Sequence, residues 1–173
     1  MERKQSLHAN ALPWLALSAF VIAADQVVKA IVVGALQPYT PHPVIPGLLN
    51  WTLAYNTGAA FSFLADQPGW QRWFFALLAS GVSAVLAVWL KRTPRSDWRT
   101  ALPLALVIGG ALGNLVDRVR LGHVIDFIQV YIGSWPFPSF NIADSSISVG
   151  AVLLVFFGLF SHSKGSGPAS AVK

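Results

Sequence analysis

The sequence predicts an all-α polytopic membrane protein, with four transmembrane helices and a small extracytoplasmic β-sheet between the first two. Three observations carry that class. Only 11% of the 173 residues are charged and 54% are hydrophobic, whereas soluble domains carry about a quarter charged residues. Four apolar stretches, at about 11–36, 70–90, 101–120 and 141–160, each have roughly the length of helix that crosses a bilayer. Finally, the basic residues are segregated. Arg3 and Lys4 precede the first stretch, Lys91, Arg92, Arg95 and Arg99 separate the second from the third, and Lys164 and Lys173 follow the fourth. The segments 35–69 and 121–140 hold no Lys or Arg. By the positive-inside rule, both termini and the "KRTPRSDWR" loop lie in the cytoplasm. The net charge of +5 and pI near 10.0 are then a matter of topology, and no nucleic-acid partner is expected.

The first stretch has a basic start and small residues at Ala23 and Ala24, as a cleaved signal peptide does. The apolar pattern resumes as "VVKAIVVGAL", too long for an ordinary signal core, so a retained span is expected. In the following segment "LNWTLAY" alternates, with Leu49, Trp51, Leu53 and Tyr55 on one face and Asn50, Thr52 and Ala54 on the other. That period of two reads as a strand, with "PVIPGLL" before it as an edge strand or turn. Open sheet edges are not stable in lipid, so the sheet should rest at the outer surface. "NTGAAFSFL" fits strand or turn. Trp14, Trp51, Trp70, Trp73, Trp89 and Trp135 fall near span ends, as interfacial anchors do. In the third span Gly109 and Gly113 permit close helix approach, read as packing within one bundle rather than dimerisation; a monomer is expected. Residues 1–163 read as one membrane domain and 164–173 as a flexible Ser/Gly-rich tail. With no cysteine, thiolate catalysis, disulfides and zinc–cysteine sites are excluded.

Of seven acids, Glu2, Asp66 and Asp97 belong to the tail or loops, and Asp25, Asp117, Asp126 and Asp144 lie in or beside spans. Ionisable groups there need a reason. Asp25 and Lys29 are four apart on one helix face and can neutralise each other, a structural role. Asn114, Asp117 and Arg118 cluster at the end of the third span. Arg118 either pairs with Asp117 or offers its five donors to a substrate carbonyl. Asp126 and Asp144 have no cation near them in sequence, and antiparallel helices joined by a short link place both at the outer end. Two close carboxyls cannot both ionise. One can activate a water while the other protonates a leaving group, which is aspartic proteolysis without metal or cofactor. The N-terminus of the fourth helix favours a negative charge at Asp144, leaving the shared proton on Asp126. Helix capping at the water interface is the plain alternative for both.

The blocks "DQVVK" (25–29), "NTGAAFS" (56–62), "GGALGNLVDR" (109–118), "HVIDF" (123–127) and "FNIADSSI" (140–147) resemble, in order, those of the lipoprotein signal peptidase family, also called signal peptidase II. The resemblance covers all but the tails. It implies a four-span enzyme of the bacterial plasma membrane, acting on prolipoproteins whose cysteine bears diacylglycerol and cutting just before that cysteine. It implies a periplasm-facing dyad of Asp126 and Asp144, with Asn56, Gly58, Asn114, Arg118, Asn141 and Ala143 as supporting or substrate-binding positions. Asp25, Lys29 and Asp117 match structural polar positions, and residues 37–66 match a periplasmic substrate cradle. Its uncharged loop could close over the site as a lid. Two rivals remain: a proton- or solute-conducting protein using the same charges, and a Ser/Lys peptidase using Lys29 with Ser145 or Ser146. The charges gather at one membrane face, which argues against the first; Lys29 is already engaged by Asp25, which argues against the second.

Overall fold

A computed structural model describes residues 9–58 and 69–161. It contains four long helices: α1 (Leu15–Ala35, preceded by a 3₁₀ turn at Leu12–Trp14), α2 (Trp70–Arg92), α3 (Trp98–Leu121) and α4 (Ile142–Ser161). Each is long and apolar enough to cross a membrane. Their ends follow local chemistry. Asp97 caps α3 by accepting the Thr100 N–H at 3.2 Å, and α3 stops at Gly122, whose φ of 84° suits a residue without Cβ. α2 ends at Thr93, held extended before Pro94.

α3 is the centre of the bundle. Of its most apolar window 61% is buried, against 28%, 17% and 11% for the first, second and fourth spans, whose outer faces are left for lipid. Glycine allows this crowding. A Cβ on Gly109 would lie 2.9 Å from the Val21 Cβ of α1, and one on Gly110 would run into the Ala143 carbonyl of α4. Gly113 faces Asp25 and Ala143, and Gly150 of α4 faces Val107 and Pro103. The small-residue pair at Gly109 and Gly113 therefore packs within the bundle.

The sheet has four antiparallel strands in the order β1-β2-β3-β4: β1 (His42–Ile45), β2 (Leu49–Asn56), β3 (Val124–Ile132) and β4 (Trp135–Pro136). The expected strand at 49–55 is β2, and 43–49 supplies the edge strand and its turn. The sequence reading missed β3 and β4, which come from the link between α3 and α4. That link is a hairpin turning at Gly133 rather than a short connection. Its signal was a run of β-branched and aromatic residues, "VIDFIQVYI", bounded by Gly122 and Gly133. Strict alternation in β2 also fails. A register shift between Trp51 and Ala54 buries Asn50, Thr52 and Leu53, while Trp51 is 39% exposed. Leu53, Ile125 and Phe127 pack with Val32 of α1, seating the sheet on the bundle end where α1 and α3 finish and α2 and α4 begin. The part of the expected cradle and lid beyond residue 58, the end of "NTGAAFSFL" and the C-terminal tail lie outside the described residues.

Candidate active site

Asp126 sits on β3 opposite Ala54 of β2, and Asp144 in the first turn of α4. Asn141, the residue before α4, ties them together. Its side-chain oxygen accepts the Asp144 N–H at 2.8 Å, and Asp144 Oδ2 accepts the Asn141 N–H at 3.2 Å. This reciprocal arrangement is a capping box, legible in "NIAD". Capping is thus one role of Asp144, served by one carboxylate oxygen. The other, Oδ1, accepts from Asn114 Nδ2 at 2.7 Å. Asn141 Nδ2 donates to Asp126 Oδ1 at 2.8 Å, and Asn56 Nδ2 reaches Asp126 Oδ2 at 3.2 Å. Both carboxylates are therefore held by amides, and among the described residues neither has a cation within ion-pair distance.

The two acids line a cavity of about 550 Å³. Asn56, Asn114 and Arg118 form its polar side, and Phe137, Pro138, Phe140 and Ile147 its apolar side. Burial pushes the Asp126 carboxyl up to about 7, and the neighbouring Asp144 adds to the rise, against the hydrogen bond from Asn56 and the charge of Lys29.

Beside the cavity lies a second, closed cluster. Lys29, 2% exposed, contacts Asp25 Oδ2 and Asp117 Oδ2, each at 2.7 Å. Its third partner is Asn114 Oδ1 at 3.0 Å. Asp25 Oδ1 accepts the Ala143 N–H at 3.0 Å, so an acid of α1 caps the N-terminus of α4. Asp117 Oδ2 also accepts the Ile125 N–H at 3.2 Å. The local Asp117–Arg118 pair weighed from the sequence does not form. Asp117 turns inward to Lys29, while Arg118 donates from Nη2 to the Gly58 carbonyl at 2.9 Å and lies 5.1 Å from the Phe75 ring. Among the described residues its buried Nε has no hydrogen-bond partner.

Residues 17–160 match the family described as Signal peptidase (SPase) II. The chain belongs to the signal peptidase II family. It is 58% identical over 166 residues to a lipoprotein signal peptidase of Xanthomonas axonopodis pv. citri (strain 306), covering 96% of each chain. To one of Xylella fastidiosa (strain M12) it is 57% identical over 153 residues, covering 88% of this chain and 92% of the relative. A bacterial membrane enzyme solved by the in meso method at 2.3 Å resolution superposes with a TM-score of 0.80 at 31% identity, covering 95% of this chain and 99% of that one. Membership makes this an aspartic-type peptidase of the membrane, and the four apolar helices agree with a multi-pass protein.

For a signal peptidase II the geometry sorts the expected positions into three places. Asn56, Asn114, Arg118, Asp126 and Asp144 line the cavity, and Asn141 lies fully buried behind it, joining the two acids. Asp25, Lys29 and Asp117 form the closed cluster. Ala143 is fully buried against the α3 glycines, where its small side chain and its N–H both serve packing, and the Gly58 carbonyl anchors Arg118. The sequence reading missed Gln26, whose Nε2 donates to Asp117 Oδ1 at 2.8 Å and to the Gly113 carbonyl at 3.3 Å. It also missed Phe75 under Arg118 and the wall at 137–140. A Gln one residue from Asp25 in an apolar span was the available signal for the first; the other two depend on chain crossings that no local pattern marks.

Proposed function

We propose that Asp126 and Asp144 are the catalytic pair of an endopeptidase that cuts prolipoproteins immediately before the diacylglyceryl-modified cysteine. The observation that carries this reading is that both carboxylates line one cavity and accept from one residue, Asn141, Asp126 from its side-chain Nδ2 and Asp144 from its backbone N–H, with no bonded cation among the described residues. With one proton between them, the ionised carboxylate takes a proton from water as its oxygen attacks the scissile carbonyl carbon. The protonated partner then delivers its proton to the departing nitrogen as the C–N bond breaks. The released signal peptide gains a carboxylate, and the lipidated cysteine gains a free amine. The Arg118 guanidinium, steered by Gly58 and Phe75 with Nε still unpartnered, is placed to hold a substrate carbonyl.

The apolar wall of Phe137, Pro138, Phe140 and Ile147 continues along α4 to Val149, 52% exposed on the lipid-facing side, which suits a substrate whose acyl chains stay in the bilayer. The asymmetry of Lys and Arg puts this end of the bundle on the periplasmic side of the inner membrane, with both termini in the cytoplasm. A Ser/Lys peptidase is disfavoured. Lys29 is buried between two carboxylates, and the Ser145 hydroxyl donates to the Asn141 carbonyl at 2.8 Å.

The test is cleavage of a diacylglyceryl-modified prolipoprotein and its unlipidated form by the protein reconstituted in lipid, beside Asp126→Asn and Asp144→Asn. Cleavage of the lipidated form alone, lost in both folded variants, is expected. Undiminished cleavage by either variant would remove the pair from the mechanism.

A further inference from the structure

The closed cluster touches the cavity at one point, the Asn114 side chain. An ammonium carries three donors and no acceptor, so whichever end of the amide meets Lys29 must be its oxygen. That choice propagates. With Asn114 Oδ1 turned to Lys29, Nδ2 faces Asp144 Oδ1 at 2.7 Å. The same Oδ1 accepts from Asn141 Nδ2 at 3.1 Å; that nitrogen also donates to Asp126 Oδ1 and to the Ile125 carbonyl, while the Asn141 oxygen accepts the Asp144 N–H. Every amide in the network then donates to a carboxylate. The Asn141 amide is fixed by backbone groups, the Asp144 N–H on its oxygen and the Ile125 carbonyl on its Nδ2 at 3.2 Å. Asn114 is bonded by side chains alone among the described residues, and Lys29 is the charged donor on its oxygen.

We propose that Lys29 is a positioning residue of the hydrolytic site, holding the Asn114 oxygen so that Asn114 Nδ2 presents a donor to Asp144, beside the backbone-fixed Asn141 that presents one to Asp126. This rests on the catalytic reading of those two acids. Asp25 on α1 and Asp117 on α3 hold the ammonium in place against Asn114. Besides Lys29, the charged groups acting on Asp126 and Asp144 among the described residues are Arg118 of α3, which lines the same cavity, and Asp25 of α1. Without Lys29 the Asn114 oxygen keeps only the Asn141 Nδ2 donor, which is shared with the Ile125 carbonyl and Asp126, so the amide turns its oxygen to Asp144 more readily. An oxygen there repels an anion and accepts from a protonated carboxyl, so the fully protonated, inactive pair persists to higher pH. The opposing influence of Lys29 on the Asp126 carboxyl has the same sign.

Removing Lys29 alone leaves two buried acids without their cation. Lys29→Met is therefore combined with Asp117→Asn. One lysine and two aspartates, net −1, become one aspartate, net −1, so the charge of the cluster is kept. Melting temperature, kcat, KM and the pH profile are measured in lipid beside Asp126→Asn and Asp144→Asn. The expected result is a folded double variant with KM little changed, kcat reduced roughly 10- to 100-fold, and the acidic limb moved up by about half a unit to one unit. Wild-type kcat and an unmoved limb in the folded double variant overturn the proposal while leaving the catalytic pair intact. Activity in the single Asp→Asn variants overturns the pair itself, a separate outcome. Should the double variant not fold, ¹⁵N-lysine-labelled wild type decides. A Lys29 ammonium resonance that shifts as the pair titrates supports the coupling, and one that stays constant overturns it.

Discussion

Two groups of buried aspartates lie side by side in this protein and end in opposite states. Asp25 and Asp117 are matched by an ammonium at 2.7 Å each and by backbone N–H groups of Ala143 and Ile125, in a cluster closed to solvent. Asp126 and Asp144 are matched by the amides of Asn56, Asn114 and Asn141 and open onto a cavity. Burial costs both groups alike. A cation at ion-pair distance offsets that cost with an opposite charge, whereas an amide fixes the orientation of a carboxyl without supplying one. The same residue type is thereby structural in one place and chemically available a few ångströms away. Asn114 belongs to both, since its oxygen faces the lysine and its nitrogen the Asp144 carboxylate.

The comparison breaks most visibly if the two groups respond alike to losing an acid. Asp126→Asn or Asp144→Asn should cut turnover roughly 10⁴-fold in protein that stays folded, since each removes a proton-transfer partner. A residual rate near wild type in either would place that acid with the structural group. Lys29→Met on its own should instead act on the fold, costing about 3–5 kcal/mol by stranding buried carboxylates. Thermal unfolding in a fixed detergent or lipid checks it, and an unchanged melting temperature would show that the cluster tolerates the loss of its cation.

Gly110→Ala probes the packing that keeps the groups together. Its Cβ would meet the Ala143 carbonyl and lie 2.7 Å from Ile147 Cγ1, so α4 must move from α3 and carry Asp144 with it, at about 2–3 kcal/mol. Gly81→Ala, with nothing within 4 Å of the added carbon, is the matched control. A stability loss confined to Gly110→Ala, with slower cleavage, is the expected pair of results.

The last expected effect is a pH dependence of stability. A carboxyl raised to about 7 in the fold holds a proton that the unfolded chain, near 3.8, has released. Between those values the folded state binds more protons, so its stability falls as pH rises. Asp126→Asn removes that loss. Its stability relative to the wild type, read from melting, should be greater at pH 8 than at pH 5 by on the order of 2–3 kcal/mol. Equal differences at the two pH values would mean that Asp126 is not held as described.

Much of this site was legible before any coordinates. Asp126 and Asp144 stood out because no cation lies near them in sequence, and "NIAD" carries the whole capping box within four residues. The Asp25–Lys29 pair followed from helical spacing. Arg118 was ambiguous because adjacent residues on a helix point in different directions, and which of two partners each one finds depends on the helices packed against them. β3 was passed over because its apolar run was read as a link between helices. Its pairing with β2 joins segments about seventy residues apart, as in Ala54 with Asp126, beyond the reach of a period-two pattern.

The sequence by itself determined the four apolar helices long enough to cross a membrane, the strand at 49–56 and the identity of the acids that need an explanation, because hydropathy, period-two alternation and i,i+4 spacing are properties of short windows. Only the tertiary structure decided that Asp117 goes to Lys29, that Asp25 caps α4, and that one amide, Asn141, reaches both Asp126 and Asp144. Those outcomes turn on how closely α1 and α4 approach the glycine face of α3. That approach is set by packing between distant segments, and no local stretch of sequence encodes it.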